Sequence, residues 1–96
     1  MVTSKLPSNV WSFAGATSQV YQLEPGEGLP RHEHGFAHTT ACYAGAVVVR
    51  KEGRERTLTV DTQPLLLVAN EWHEIEALSS GTVLVNTFAS INRDAY

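Results

Sequence analysis

Glycine and proline punctuate this chain at short, regular intervals, and that spacing limits what it can fold into. They fall at positions 7, 15, 25, 26, 28, 30, 35, 45, 53, 64 and 81. Most segments between them suit a β-strand and are too short for a helix of ordinary length. Thr57-Leu58-Thr59-Val60-Asp61 alternates, with its apolar residues at 58 and 60, and His73-Glu74-Ile75-Glu76-Ala77 sets carboxylates against apolar neighbours. Residues 17–24 and 82–88 are rich in Val, Tyr, Leu and Thr, and 46–49 is an apolar run suited to a fully buried strand. Lys51-Glu52-Gly53-Arg54-Glu55 reads as a hairpin turn centred on Gly53. Residues 65–78 lack Gly and Pro, and Leu65, Val68, Trp72 and Ile75 also fit a helical stripe. Asn70 as a turn residue and the alternation after His73 favour strand, turn, strand instead. The expectation is an all-β fold of six to eight short antiparallel strands, a sandwich or a small barrel.

The 96 residues make one domain, 1–96, and 43 % apolar content supports a single core. Seven basic residues stand against ten acidic ones, with no basic run, so neither nucleic acid nor an anionic membrane is expected as a partner. The longest purely apolar run, 65–69, is far short of a membrane span, and the first residues lack the apolar run of a secretory signal. The single cysteine, Cys42, excludes an internal disulfide and a cysteine-rich zinc site, and a cytosolic location is expected.

Three of the four histidines crowd into Arg31-His32-Glu33-His34-Gly35-Phe36-Ala37-His38, and the fourth is His73. On a strand His32 and His34 share a face. His38 would lie ~20 Å from His32 on a straight strand, so a bend is needed, and Gly35 permits one. Imidazoles converging in this way suit a divalent transition metal. The spacing of a helical zinc-protease motif is absent, because 34–38 lacks the Glu and 73–77 lacks the second His.

These residues resemble the cupin superfamily. Its first motif matches as Gly26, five residues, His32-Glu33-His34, three residues, His38, six residues, Gly45, with His38 where the family has Glu. Its second motif is reduced: Thr62 and Asn70 stand for its two glycines, Val68 for its Pro and Ala77 for its Asn, while His73 keeps its place. The resemblance covers about residues 17–88. It implies a double-stranded β-helix, a jelly-roll-like antiparallel barrel, with one divalent metal (Fe, Mn, Cu, Ni or Zn) inside on His32, His34, His38 and His73. Small members are often homodimers.

Four neutral imidazoles leave the metal's charge uncompensated, which favours an anionic small-molecule guest. Phe36, Thr40, Cys42 and Trp72 are candidates for the surrounding pocket. Phe36 is a lid or simple packing, and Trp72 a wall, core or surface residue. Strand parity turns Thr40 and Cys42 toward the interior and Tyr43 away from it, although a free cysteine is usually a small buried hydrophobe. Glu33, Glu74 and Glu76 face solvent, as do Arg50, Lys51, Arg54 and Arg56 of the hairpin, and Arg31 either meets an anion at the mouth or is surface charge. No carboxylate is placed as a general base, so the catalytic residue is not assigned. A metal-dependent oxidoreductase of dioxygenase type, acting on an enolisable or phenolic substrate, is the leading expectation. A non-redox isomerase or lyase, and a non-catalytic binding or sensing module, remain beside it.

Overall fold

The structure is a computed structural model that describes residues 1–95, with side chains described to Arg93. Ten strands follow one another: β1 Thr3–Ser4, β2 Asn9–Phe13, β3 Ala16–Leu23, β4 Glu27–His32, β5 His38–Ala44, β6 Ala46–Lys51, β7 Arg54–Thr59, β8 Leu65–Leu67, β9 His73–Ala77 and β10 Thr82–Ala89. A 3₁₀ turn, Ser90–Ala95, closes the chain. The strands form two five-stranded sheets, ordered β1-β4-β9-β6-β7 and β2-β3-β10-β5-β8. The fold is the expected all-β double-stranded β-helix. It has ten strands rather than six to eight, because the short β1 and β8 join the edges, and β1 pairs with β4 in parallel. Residues 65–78 form strand, turn and strand, and the hairpin turns at Gly53 with Lys51 opposite Arg54.

Alternation in the sequence becomes the two faces of each sheet. β10 buries Thr82, Leu84, Asn86 and Phe88 and leaves the residues between them partly exposed. β9 likewise buries His73, Ile75 and Ala77. Tyr21, Leu23, Cys42, Val47, Val49, Leu58, Leu67, Ile75, Ala77 and Leu84 interlock between the sheets as the apolar core. Burying one such Leu or Ile contributes about 2–3 kcal/mol. Two glycines are fixed by sterics. At Gly28 an added Cβ would collide with the Ile75 carbonyl, and Gly45 has a φ of 71° with the Thr82 and Ser79 hydroxyls against its open side.

One irregularity positions the site. β4 and β9 pair Leu29 with Ile75 and then His32 with His73, so three steps on β4 match two on β9. The extra residue is a bulge at Pro30–Arg31, a place where proline's missing N–H is tolerated. It keeps both Leu29 and His32 on the inner face despite their odd spacing. The rung that follows runs across four of the sheet's five strands: His32 opposite His73, His73 opposite Lys51, Lys51 opposite Arg54.

Candidate metal centre

The four histidines arrive from separate pieces of backbone at one end of the barrel. His32 ends β4, His34 lies in the following bend, His38 opens β5 and His73 opens β9. Their rings gather closely: His32–His73 centroids are 4.4 Å apart, His34–His38 5.0 Å, His34–His73 and His38–His73 5.2 Å, and His32–His34 5.4 Å. Donor atoms of His32, His34 and His73 all lie within 4.8 Å of one another. His38 Nε2 is 3.4 Å from His73 Nε2.

Backbone carbonyls settle which ring nitrogen faces inward. Nδ1 of His32 meets the Pro30 carbonyl at 2.8 Å, that of His34 the Phe36 carbonyl at 2.9 Å, and that of His73 the Glu71 carbonyl at 3.2 Å. Nδ1 of His38 lies 3.3 Å from both the Thr39 carbonyl and the Thr40 hydroxyl. That hydroxyl donates its one proton to Asn86 Oδ1 at 2.7 Å, so toward His38 it accepts. Carbonyls only accept, hence every Nδ1 carries a proton, and in the neutral ring Nε2 then keeps the lone pair. Burial, the main cause, pushes His38 and His73 down to about 4, and neighbouring positive charge adds to it. Burial also lowers His34. At neutral pH these three rings are neutral.

The donor chemistry fits a divalent cation. Lone pairs facing one small volume repel each other unless a cation lies between them. Two nitrogens bound at ~2.1 Å on a tetrahedral cation sit ~3.4 Å apart, the separation of the His38 and His73 Nε2 atoms. Among the described residues no carboxylate joins the three-histidine group.

The surroundings divide sharply. Phe36 stacks on His34 with centroids 4.3 Å apart and planes 11° from parallel, and it is backed by Phe88 at 5.6 Å. Thr40 and Asn86 are fully buried and hold His38. Trp72 lies under the Arg31 guanidinium at 4.2 Å. Cys42 is on the inner face, as parity requires, but it is four residues beyond His38, ~13 Å along a strand. Its thiol is packed into the apolar core and donates to the Ala44 carbonyl at 3.2 Å. Tyr43 points outward and is 66 % exposed. A hollow of about 400 Å³, lined in part by Arg31, His32 and His34, opens the cluster to the surface.

Two features escaped the sequence reading. Asn86 shares its parity with the buried Leu84 and Phe88, a lone amide on an inward-facing stripe, and that was its only signal. Arg50 is not solvated with the hairpin: it reaches Glu76 at 2.8 Å, Glu55 at 3.3 Å and Glu74 at 3.7 Å on the outer face of the first sheet.

The fold is a double-stranded β-helix similar to that of small cupin proteins, with a histidine cluster at one end. No protein-family model and no curated protein matches the sequence, so the likeness lies in the structure. KdgF from Halomonas sp. superposes with a TM-score of 0.78 at 17 % identity, over 92 % of this chain and 82 % of that one. A double-stranded β-helix protein from Klebsiella pneumoniae gives 0.71 at 16 % identity, over 88 % and 70 % of the two chains. A cupin-2 domain protein from Shewanella frigidimarina gives 0.69 at 9 % identity, over 88 % and 83 %.

Proposed function

We propose that this small cupin binds one divalent transition metal (Fe, Mn, Cu, Ni or Zn) through His32, His34, His38 and His73. We further propose that it acts as a metal-dependent oxidoreductase of dioxygenase type on a small enolisable or phenolic substrate. The observation that carries the metal reading is the shared tautomer: four Nδ1–H groups committed to backbone carbonyls or to Thr40, with the Nε2 atoms left for a cation. When bound, such a metal supplies a Lewis acid that stabilises an enolate or phenolate and a centre for redox chemistry. The protein's own part is to hold the rings, to keep His34, His38 and His73 neutral by burial and to line the site with Phe36 and Phe88. The aromatic lining of Phe36 and Phe88 offers no group to take a proton, which favours redox chemistry over proton abstraction by a protein base.

The test is oxygen uptake by Fe(II)- or Cu(II)-loaded protein with a panel of β-diketones and phenols. Consumption that requires both metal and substrate supports the reading. Turnover of a sugar acid without oxygen would move the assignment to an isomerase or lyase. Binding without any turnover would move it to a sensing module.

A homodimer is part of the proposal. The outer face of the second sheet pairs Asn9, Trp11 and Phe13 of β2 with Val20, Ser18 and Ala16 of β3, and continues through Val83, Val85 and Thr87 to Thr39, Ala41, Tyr43 and Leu66. No charged residue stands in these rows, whereas the first sheet's outer face carries Arg50, Glu55, Glu74 and Glu76. A neutral face suits a second copy of itself better than a charged partner. Among the described residues no helix is long and apolar enough to cross a membrane. A reducing, cytosolic setting is proposed from the single buried thiol.

A further inference from the structure

Strand β7 lies at the edge of the first sheet, and its inner face carries charge. Leu58 is buried in the core, so Arg56 and Arg54, two and four residues before it, point the same way. They reach the gap between β7 and β8, a groove of about 340 Å³ lined by Val49, Lys51, Arg54, Glu55, Arg56 and Leu65. Lys51 is committed to Glu71 at 2.7 Å and Glu55 to Arg50 at 3.3 Å. Neither Arg54 nor Arg56 is in any of the ion pairs formed among the described residues. Two arginines on backbone positions ~7 Å apart thus face a groove with an apolar floor, the Glu71 carboxylate near Arg54 being already paired with Lys51, in a chain of net charge −3.

This groove continues the histidine rung. His73 is opposite Lys51 and Lys51 is opposite Arg54, so the Arg54 backbone stands two strands, ~10 Å, from that of His73. An arginine arm shortens the gap to the length of a small molecule. The geometry points to a ligand carrying a carboxylate: Arg54 and Arg56 bind the anionic end, in the bidentate manner that guanidinium favours, while the other end reaches the histidines. The inference deepens the proposed function, and rests on it only for the end at the histidines.

The experiment follows the Nε–H resonances of Arg54 and Arg56 during titration with glutarate and adipate, with the matching neutral diamides as controls. It is run on metal-free protein and on protein loaded with Zn(II). The dicarboxylates should shift both resonances and the diamides neither. In the R54Q/R56Q double variant the dissociation constant should rise at least tenfold, with metal content unchanged. Loading with Zn(II) should tighten binding, because zinc expands to five coordinates and the second carboxylate takes the added position beside the four histidines. Absence of shifts at either arginine under saturating dicarboxylate, or equal affinity in the double variant, overturns the groove. Equal affinity with and without Zn(II) overturns the bridge to the histidines. A protein that takes up no metal would defeat the proposed function, and the metal-free titration would still decide the groove.

Discussion

Each imidazole of the cluster is held by whatever meets its Nδ1. For three of them that is a carbonyl of a bend or bulge, Pro30, Phe36 or Glu71, released from strand pairing and free to accept. His38 differs, because it is buried on a regular strand and leans on the Thr40 hydroxyl, which is fixed in turn by Asn86. Thr40→Val keeps the shape and removes both the acceptor for His38 and the donor to Asn86. It should cost about 1–3 kcal/mol in urea unfolding and weaken metal binding about 10–100-fold in competition with a chelator. Unchanged midpoint and affinity would show that Thr40 merely fills space. The histidines were legible from spacing alone. Asn86 was not, because a single amide in an apolar strand declares its partner only when β10 and β5 are laid side by side.

At the scale of elements, the turn before β9 decides whether His73 arrives in place. The cupin motif puts glycine where this chain has Asn70, and Asn70 adopts a φ of 62°. Asparagine tolerates this left-handed conformation better than other residues with a Cβ. Its N–H donates to the His34 carbonyl at 2.8 Å, which ties the turn to the bend that carries another ligand candidate. Asn70→Ala should therefore destabilise by about 1–2 kcal/mol, while Asn70→Gly should stay within about 0.5 kcal/mol of the parent. Equal losses in the two variants, measured by urea unfolding, would place the asparagine's value in its side-chain contacts instead. Glycine and proline spacing foretold the strands well, since it reports strand length directly. It could not foretell the bulge at Pro30–Arg31, because a bulge is a mismatch between two strands and neither alone reveals it. Nor could parity along β7 be used before Leu58 was known to face the core, which left Arg54 and Arg56 looking like ordinary hairpin charge.

For the whole molecule, the two outer sheet faces differ in kind. One is tied by the Arg50 carboxylate network, and the other exposes Trp11 by 51 %, Phe13 by 79 %, Tyr43 by 66 % and Leu66 by 54 %. Five strands of three to eight residues cover roughly 500 Å² of sheet, somewhat below the ~800 Å² per partner of a standard interface and enough for a modest dimer. Sedimentation at micromolar concentration should give a dimer, and Trp11→Glu combined with Tyr43→Lys should give a folded monomer. A wild-type monomer under those conditions would refute the pairing. Homodimerisation was expected from the family resemblance, but the surface that supports it becomes visible only when five strands are placed in order. The central claim remains the meeting of four imidazoles on one cation. Elemental analysis of tag-free protein after metal addition tests it most directly. One equivalent of divalent transition metal per chain is predicted for the wild type, with its loss in the H32A/H34A variant while β-rich circular dichroism persists. Well under one equivalent in the wild type, or an unchanged content in the double variant, would contradict the account.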